Sequence, residues 1–258
     1  MDRRTFLVSG AFVPGAALAG AALAAPAGET FPVDGHVALN GCRALVEAHL
    51  GGILSALKVL ARTGDARSGR WDRIRPALSV LADEVTTEAA VWFVRPDGRY
   101  QTVDAGLSAA TLSDRDYFPG LMAGRVVEGA LVVSKSTGHR SIIVSAPVTR
   151  GGKVVGALGV SVRTRLVGAF VEASLRFPDD LAFYALDATG RTAIHKDPEK
   201  MFVFPSDLGA PSLASAVATM LAGDAGSVDY DFEGRHRTAL FVRSPATGWR
   251  FVLVRLRA

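Results

Sequence analysis

The sequence predicts an α+β protein: long helices at the start of the folded region, then two antiparallel-sheet modules of one topology. Three observations carry this prediction. Apolar residues recur at helical spacing over residues 34–62 and 71–85. Turn signals then separate short β-rich runs between residues 91 and 163. The punctuation of that stretch also returns later in the chain. Asp97-Gly98-Arg99 is answered by Thr189-Gly190-Arg191, Gly138 by Gly234, and the strand pair around Gly152-Lys153 by the pair around Gly248-Trp249, as expected of two copies of one unit.

Residues 1–27 read as a removable leader, not as part of the fold. Arg3-Arg4-Thr5-Phe6-Leu7 precedes an Ala/Gly-rich apolar run that ends in small residues at Ala22-Leu23-Ala24 and Ala25-Pro26-Ala27. The paired arginines and the weakly hydrophobic, Gly-containing run are similar to the twin-arginine export signal, although Val8 stands where that signal usually has lysine. The competing reading is an ordinary secretory signal with two arginines in its charged region. No later segment is expected to reach the roughly 20 apolar residues of a membrane span, and no output domain is expected before Arg257-Ala258. The expectation is therefore a periplasmic or otherwise exported protein, soluble once the leader is removed.

The helical region is expected over residues 34–85. Cys42, Leu45, Val46, His49, Leu50, Ile53, Leu57 and Leu60 form one face, with Gly51-Gly52 expected to kink or break the helix. Residues 62–69 form a polar loop before the second helix at 71–85. The first sheet module occupies residues 86–165. It runs through a strand at 91–95, a Pro96-Asp97-Gly98 turn, a strand from Arg99, the polar loop Ser113 to Phe118, a Ser136-Thr137-Gly138 turn, and strands at 141–148 and 153–163 joined through Gly151-Gly152. A connecting helix at 166–175, ended by Pro178, opens the span 166–258. Its β-rich runs at 183–186, 192–195, 237–243 and 249–255 make the second module. Along 153–163 one set of alternate residues, Ala157, Gly159 and Ser161 among them, is small or polar, a face that leaves room for a helix or ligand near the backbone.

The order Asp97-Gly98, Asp114-Arg115-Asp116-Tyr117-Phe118, Ser136-Thr137-Gly138, Ala146-Pro147-Val148 and Gly152-Lys153-Val154-Val155-Gly156 resembles the Cache family of extracytoplasmic sensor domains. The resemblance covers the whole first sheet region. It implies a double Cache architecture with two PAS-like modules, ligand binding in the distal module, no catalysis and no cofactor. Such domains usually pass their state to a sensor kinase or chemoreceptor, and here a membrane-bound partner of that kind would have to do so. The loop from Asp114 to Phe118 is the foremost candidate site. Arg115 offers a planar fork to a carboxylate, Tyr117 and Phe118 can close over an apolar body, and Asp116, Ser134, Ser136 and Ser161 complete the candidate lining. The competing structural reading closes an ion pair between Arg115 and Asp114 or Asp116. Amino-acid-sensing members of the family have a tyrosine where this chain has Ala110, and no aspartate is placed for an ammonium group, so the implied ligand is a small carboxylate without an amino group.

Other chemistries are weaker. The net charge is +4, a balance that does not point to nucleic acid. His36, His49, His139, His195 and His236 lack metal-ligand spacing, and no metal is expected. Cys42 is the only cysteine, which leaves no intramolecular disulfide. Leu39-Asn40-Gly41-Cys42 is similar to a lipoprotein acylation box but lies far from the leader, and a buried helical thiol is expected instead. Ser55-Ala56-Leu57-Lys58 matches the Ser-x-x-Lys signature of penicillin-recognising acylases, with Lys135-Ser136-Thr137-Gly138 loosely matching their later motif. The intervening Ser-Asp-Asn element is missing. A serine hydrolase is therefore the alternative reading, beside a non-binding scaffold of the same fold.

Overall fold

A single long helix organises the molecule, and its first residue explains where it starts. The computed structural model describes residues 32–85 and 90–256, and the leader at 1–27 lies outside the described residues. Helix α1 (Gly35–Ala61) begins after Asp34, whose carboxylate accepts from the His36 amide at 2.7 Å, so one of the free N–H groups of the first turn is satisfied. Leu39, Cys42, Val46, Leu50 and Leu57 are buried along one face. The helix runs through Gly51-Gly52 without interruption, a correction to the expected break. Leu50, Ile53 and Leu54 on either side are all buried, and their packing outweighs the roughly 1 kcal/mol that each glycine costs a helix.

Among the described residues α1 is also the one helix long and apolar enough to cross a membrane by length and composition, with a window of mean hydropathy 1.5. The sequence reading expected no such segment after the leader. The apolar content has a packing explanation, since the same face joins both sheets in one core cluster. Cys42 sits within it, its thiol donating to the Ala38 carbonyl at 3.2 Å and pushed up to about 12 by burial. A short helix, α2 (Gly64–Arg67), occupies the loop expected at 62–69, capped by the Thr63 hydroxyl. Helix α3 (Trp71–Glu84) follows.

The first sheet comprises β1 (Ala90–Val94), β2 (Arg99–Thr102), β3 (Gly106–Thr111), β4 (Val127–Val133), β5 (Arg140–Arg150) and β6 (Lys153–Arg163), with α4 (Phe118–Met122) between β3 and β4. Its order is β3-β2-β1-β6-β5-β4, and the pairs are antiparallel. Helix α5 (Thr164–Leu175) leads into β7 (Leu181–Leu186), β8 (Thr192–His195), α6 (Pro211–Ala222), β9 (Ala225–Phe232), β10 (Arg235–Arg243) and β11 (Arg250–Leu256), in the order β8-β7-β11-β10-β9. In both sheets the first strand lies beside the last. This is the expected α+β architecture of helices followed by two PAS-like antiparallel modules. Helix α5 ends at Arg176, in the left-handed region at φ 47, before Pro178 is reached.

Each sheet has two differently packed faces. Val91, Phe93, Val144 and Val160 of the first sheet, and Phe183, Phe251 and Leu253 of the second, pack into the α1 cluster. The opposite faces carry separate clusters, one around Trp92, Tyr100, Phe118 and Leu121 and one around Tyr184, Tyr230, Met220 and Phe241. The modules meet where β4 bulges between Glu128 and Ala130. There Gly129 adopts φ +101, and a Cβ on it would lie 3.1 Å from Thr247 and 3.2 Å from the Trp249 ring.

This junction makes a prediction. Gly129→Ala and Gly138→Ala both force alanine into a positive-φ conformation, but a Cβ at Gly138, φ +71, meets open space. Gly129→Ala should therefore cost roughly 1 to 3 kcal/mol more than Gly138→Ala, the usual cost of overpacking. Urea unfolding of the two variants measures the difference.

Candidate functional site

The small face expected on β6 exists, but the protein fills it from within. Ala157, Gly159 and Ser161 face the cluster opposite α1, and Trp92 on β1 is the cross-strand partner of Gly159. A Cβ at 159 would fall inside the Trp92 ring, so glycine is required for the indole to lie flat on the sheet. The indole Nε1 donates to the Ser161 hydroxyl at 3.0 Å, in a buried setting. Ser161, expected among the ligand contacts, is thus placed as the acceptor that holds Trp92.

The loop from Ser113 to Phe118 lies above this floor, and the β1–β2 turn supports it. Gly98, at φ +83, accepts from the Leu112 amide at 2.8 Å, and a Cβ on it would press on Ser113. The loop coils through Arg115 N to Leu112 O at 3.1 Å and Phe118 N to Arg115 O at 2.8 Å, and then enters α4 with Pro119 in its first turn. Phe118 is buried and Tyr117 half-buried, both within the Trp92 cluster or packed against it. Asp116 is exposed.

The ion pair expected within the loop has a different owner. Asp114 pairs with Lys135 at 2.6 Å, and the same ammonium donates to the Thr111 carbonyl at 2.8 Å. The hydrogen bond from Lys135 to the carboxylate, with the lysine charge, holds the Asp114 carboxyl below the usual carboxylate range. Arg115 instead donates from Nη2 to the Val133 carbonyl at 2.6 Å, and its Nε is buried with no partner. The Tyr100 hydroxyl on β2 is in the same condition: the residue is 3% exposed and the oxygen has no partner. Burial pushes the Tyr117 phenol up to about 12; Arg115 draws it down, while Tyr100 and Asp114 add to the rise. Tyr117 is therefore an electrostatic neighbour of both Arg115 and Tyr100. Arg115 and Tyr100 carry buried polar atoms that nothing among the described residues satisfies, a costly condition unless another molecule supplies the bond.

Ser134 and Ser136 belong to a turn. The Ser134 hydroxyl lies 3.2 Å from that of Ser136 and accepts from the Thr137 amide at 3.3 Å, while Gly138 N donates to Ser134 O at 2.8 Å. Ser244 closes the β10–β11 turn with the same pattern, accepting from Thr247 N at 3.1 Å on its hydroxyl and from Gly248 N at 3.0 Å on its carbonyl. Those two hydroxyls are accounted for by turn geometry.

Tyr100 and Trp92 were missed in the sequence, although the alternation along β2, where Tyr100 and Thr102 are buried between exposed or half-buried neighbours, was available as a signal. The β2–β3 register shifts between Arg99 and Gln101, and Tyr100 and Ala110 both pack in the Trp92 cluster. Tyr100 brings a phenol to the region where the resemblance leaves a gap. Tyr117 and Asp116 also line a cleft of about 510 Å³ between the modules, with Arg125, Glu128, Asp187 and Trp249. Ser55 and Lys58 lie exposed on α1, and neither lines this cleft. Among the described residues no group of three His, Cys, Asp or Glu side chains converges as a metal site.

No protein-family model matches the sequence, and no curated protein matches it. Solved structures do match its fold, which is that of extracellular ligand-binding sensor domains. The ligand-binding domain of the Pseudomonas aeruginosa amino acid chemoreceptor PctB, in complex with L-Arg, superposes with a TM-score of 0.71 at 17% identity, over 86% of this chain and 93% of that one. The ligand-binding domain of the Campylobacter jejuni chemoreceptor Tlp3, in complex with L-norvaline, gives 0.65 at 12%, over 85% and 88%. An extracellular ligand binding receptor from Desulfohalobium retbaense gives 0.68 at 13%; it is matched over 85% of this chain, which spans 40% of that receptor.

The floor of the site can be tested by a double-mutant cycle. Ser161→Ala strands the buried indole N–H of Trp92 and should cost about 1 to 3 kcal/mol. In a Trp92→Phe background the same change has no donor to strand and should cost less than about 0.5 kcal/mol. Chemical denaturation of the four proteins gives the coupling.

Proposed function

We propose that this protein is an exported sensor whose first module binds a small organic carboxylate at Arg115 and presents the bound state to a membrane-bound sensor kinase or chemoreceptor. The observation that carries the reading is the pair of buried, unpartnered polar atoms on Arg115 and Tyr100. A carboxylate accepts from both a guanidinium N–H and a phenol O–H, and the apolar walls from Trp92, Tyr117 and Phe118 suit a short carbon body. The likeness to chemoreceptor domains supports ligand sensing outside the cytoplasm. An amino acid would also need an anion for its ammonium. Asp114 is already committed to Lys135 and Asp116 is exposed, which favours a carboxylate without the amino group.

Propionate and alanine differ by that amino group, and propionate should bind the tighter of the two. Arg115→Ala should then weaken propionate about ten- to a hundredfold, the equivalent of a charge-assisted bond of roughly 1.5 to 3 kcal/mol. Arg115→Lys should weaken it too, since lysine keeps the charge but loses the planar fork. Calorimetric titration alongside melting temperatures checks both, and unchanged affinity in Arg115→Ala ends the clamp reading.

Export rests on Arg3-Arg4. Replacing both with lysine should leave the protein in the cytoplasm on cell fractionation, whereas export that continues would assign the leader to the general secretory route.

A further inference from the structure

The second module holds a cavity of about 250 Å³ that the Arg115 site does not touch. Tyr184 on β7, His195 on β8, Tyr230 on β9 and Arg237 on β10 line one side; Val203, Leu208 and Leu213 line the other. The polar side is rich in hydrogen-bond donors, and one of them, Arg237 Nε, is buried without a partner. His195 Nδ1 accepts from the Asp197 amide at 2.9 Å, so the proton of the neutral ring sits on Nε2. Burial, then the nearby Lys200, lowers its pKa to about 4, which keeps the ring neutral near pH 7. Among the described residues no hydrogen bond engages that Nε2–H.

Arg237 stacks its guanidinium over Phe232, 4.8 Å from the ring centroid, and donates from Nη2 to Glu233 at 2.9 Å. Its Nε is buried without a partner. The Tyr184 hydroxyl donates to Met220 Sδ at 3.7 Å; burial raises the phenols of Tyr184 and Tyr230, which also hydrogen-bond each other, and Arg237 draws both down. The carboxylates at the rim are engaged or exposed. Glu233 meets Arg237 and, at 3.6 Å, Lys200; Asp197 caps the Glu199 amide at 3.0 Å; Glu199 is exposed.

We propose that this cavity is a second ligand site, one for a small aryl or branched-alkyl carboxylate, with the carboxylate on Arg237 Nε and His195 Nε2 and the body against Val203, Leu208 and Leu213. The groups left for a ligand, Arg237 Nε and His195 Nε2, are N–H donors, which selects acceptor oxygens over an ammonium. The volume falls just below the roughly 300 Å³ at which drug-sized pockets begin, and that limits the ligand to about one ring or a short branched chain.

Phenylacetate and phenethylamine share a body and differ in the charged group, and ligand-observed NMR with the full mature chain separates them. Phenylacetate should bind and phenethylamine should not. Binding should persist in Arg115→Ala, which disables the first site, and should weaken at least about tenfold in Arg237→Gln and in His195→Phe. Leu208 is 45% exposed, so Leu208→Trp tests the same cavity by filling it without disturbing the core, and it too should abolish binding. The proposal is overturned if phenylacetate fails to bind at millimolar concentration, if phenethylamine binds in its place, or if binding is lost in Arg115→Ala but kept in Arg237→Gln and Leu208→Trp. The last pattern would leave the Arg115 site standing alone.

Discussion

An edge strand inside a two-module protein has to find partners for its outward carbonyls, and β4 meets this demand in a way that ties the molecule together. It is the last strand of the first sheet, so alternate carbonyls point away from β5 with no strand to receive them. Those of Gly129, Leu131 and Val133 accept, in turn, from Trp249 Nε1 at 3.2 Å, Arg191 Nη2 at 3.0 Å and Arg115 Nη2 at 2.6 Å. Two of these donors come from the second module and the third from the candidate ligand loop. One strand edge thus connects site and neighbour. Arg191 is itself oriented by Asp187 at 3.3 Å and lies over Phe202, 4.9 Å from its ring centroid, and Arg140 on β5 reaches across to the Pro198 carbonyl at 2.8 Å.

This arrangement gives the proposed clamp a mechanical consequence. A carboxylate at the free Nε of Arg115 would share the guanidinium that also donates from Nη2 to the Val133 carbonyl, and a guanidinium holds an anion more strongly than a neutral carbonyl. Any shift of the guanidinium toward the ligand would strain the bond that fixes β4 against the loop, while the bonds from Trp249 and Arg191 remain. A ligand shifts a conformational balance only through contacts that differ between its states, and this is such a contact. The bulge at Gly129 sits at the other end of the same strand, where any change in β4 meets Thr247 and Trp249 directly.

Much of this frame is legible in the sequence because it is written in short-range signals. Gly151-Gly152 and Pro96-Asp97-Gly98 mark hairpins that occur where expected, and β6 and β8 have the expected limits. The elements that escaped lack a clean period. In β4 the sequence Val-Glu-Gly-Ala-Leu-Val-Val is broken by the bulge; β3 is built of small residues around Leu107 and Ser108; β9 alternates acidic with apolar residues on a largely exposed edge; α6 is Ala-rich and gives only a weak stripe. The candidate loop was legible as a segment but not in its wiring. Sequence proximity points Arg115 at Asp114 and Asp116, whereas the partners that matter are a backbone carbonyl at Val133 and, for Asp114, a lysine 21 residues away. Backbone acceptors have no letter in a sequence. The same holds for Trp92 and Ser161, which are 69 residues apart and meet only because β1 and β6 are neighbours.

The repeated topology does not repeat the chemistry, and the strand count shows why. The first module has a sixth strand, β3, which precedes the loop that carries Arg115. The second module has no counterpart of β3, and after β8 its chain runs through short 3₁₀ turns at Pro198–Lys200 and Pro205–Asp207 into α6. Its cavity is therefore walled by those turns and by α6, and the guanidinium arrives from a strand, β10, not from a loop. A strand side chain is held by its register: Arg237 is fixed opposite Tyr230 and Leu256. A loop side chain such as Arg115 is held by fewer backbone bonds and has a competing acceptor within reach. The two modules thus combine one fold with two arginines of unequal freedom, and the freer one lies on the strand edge that both modules share.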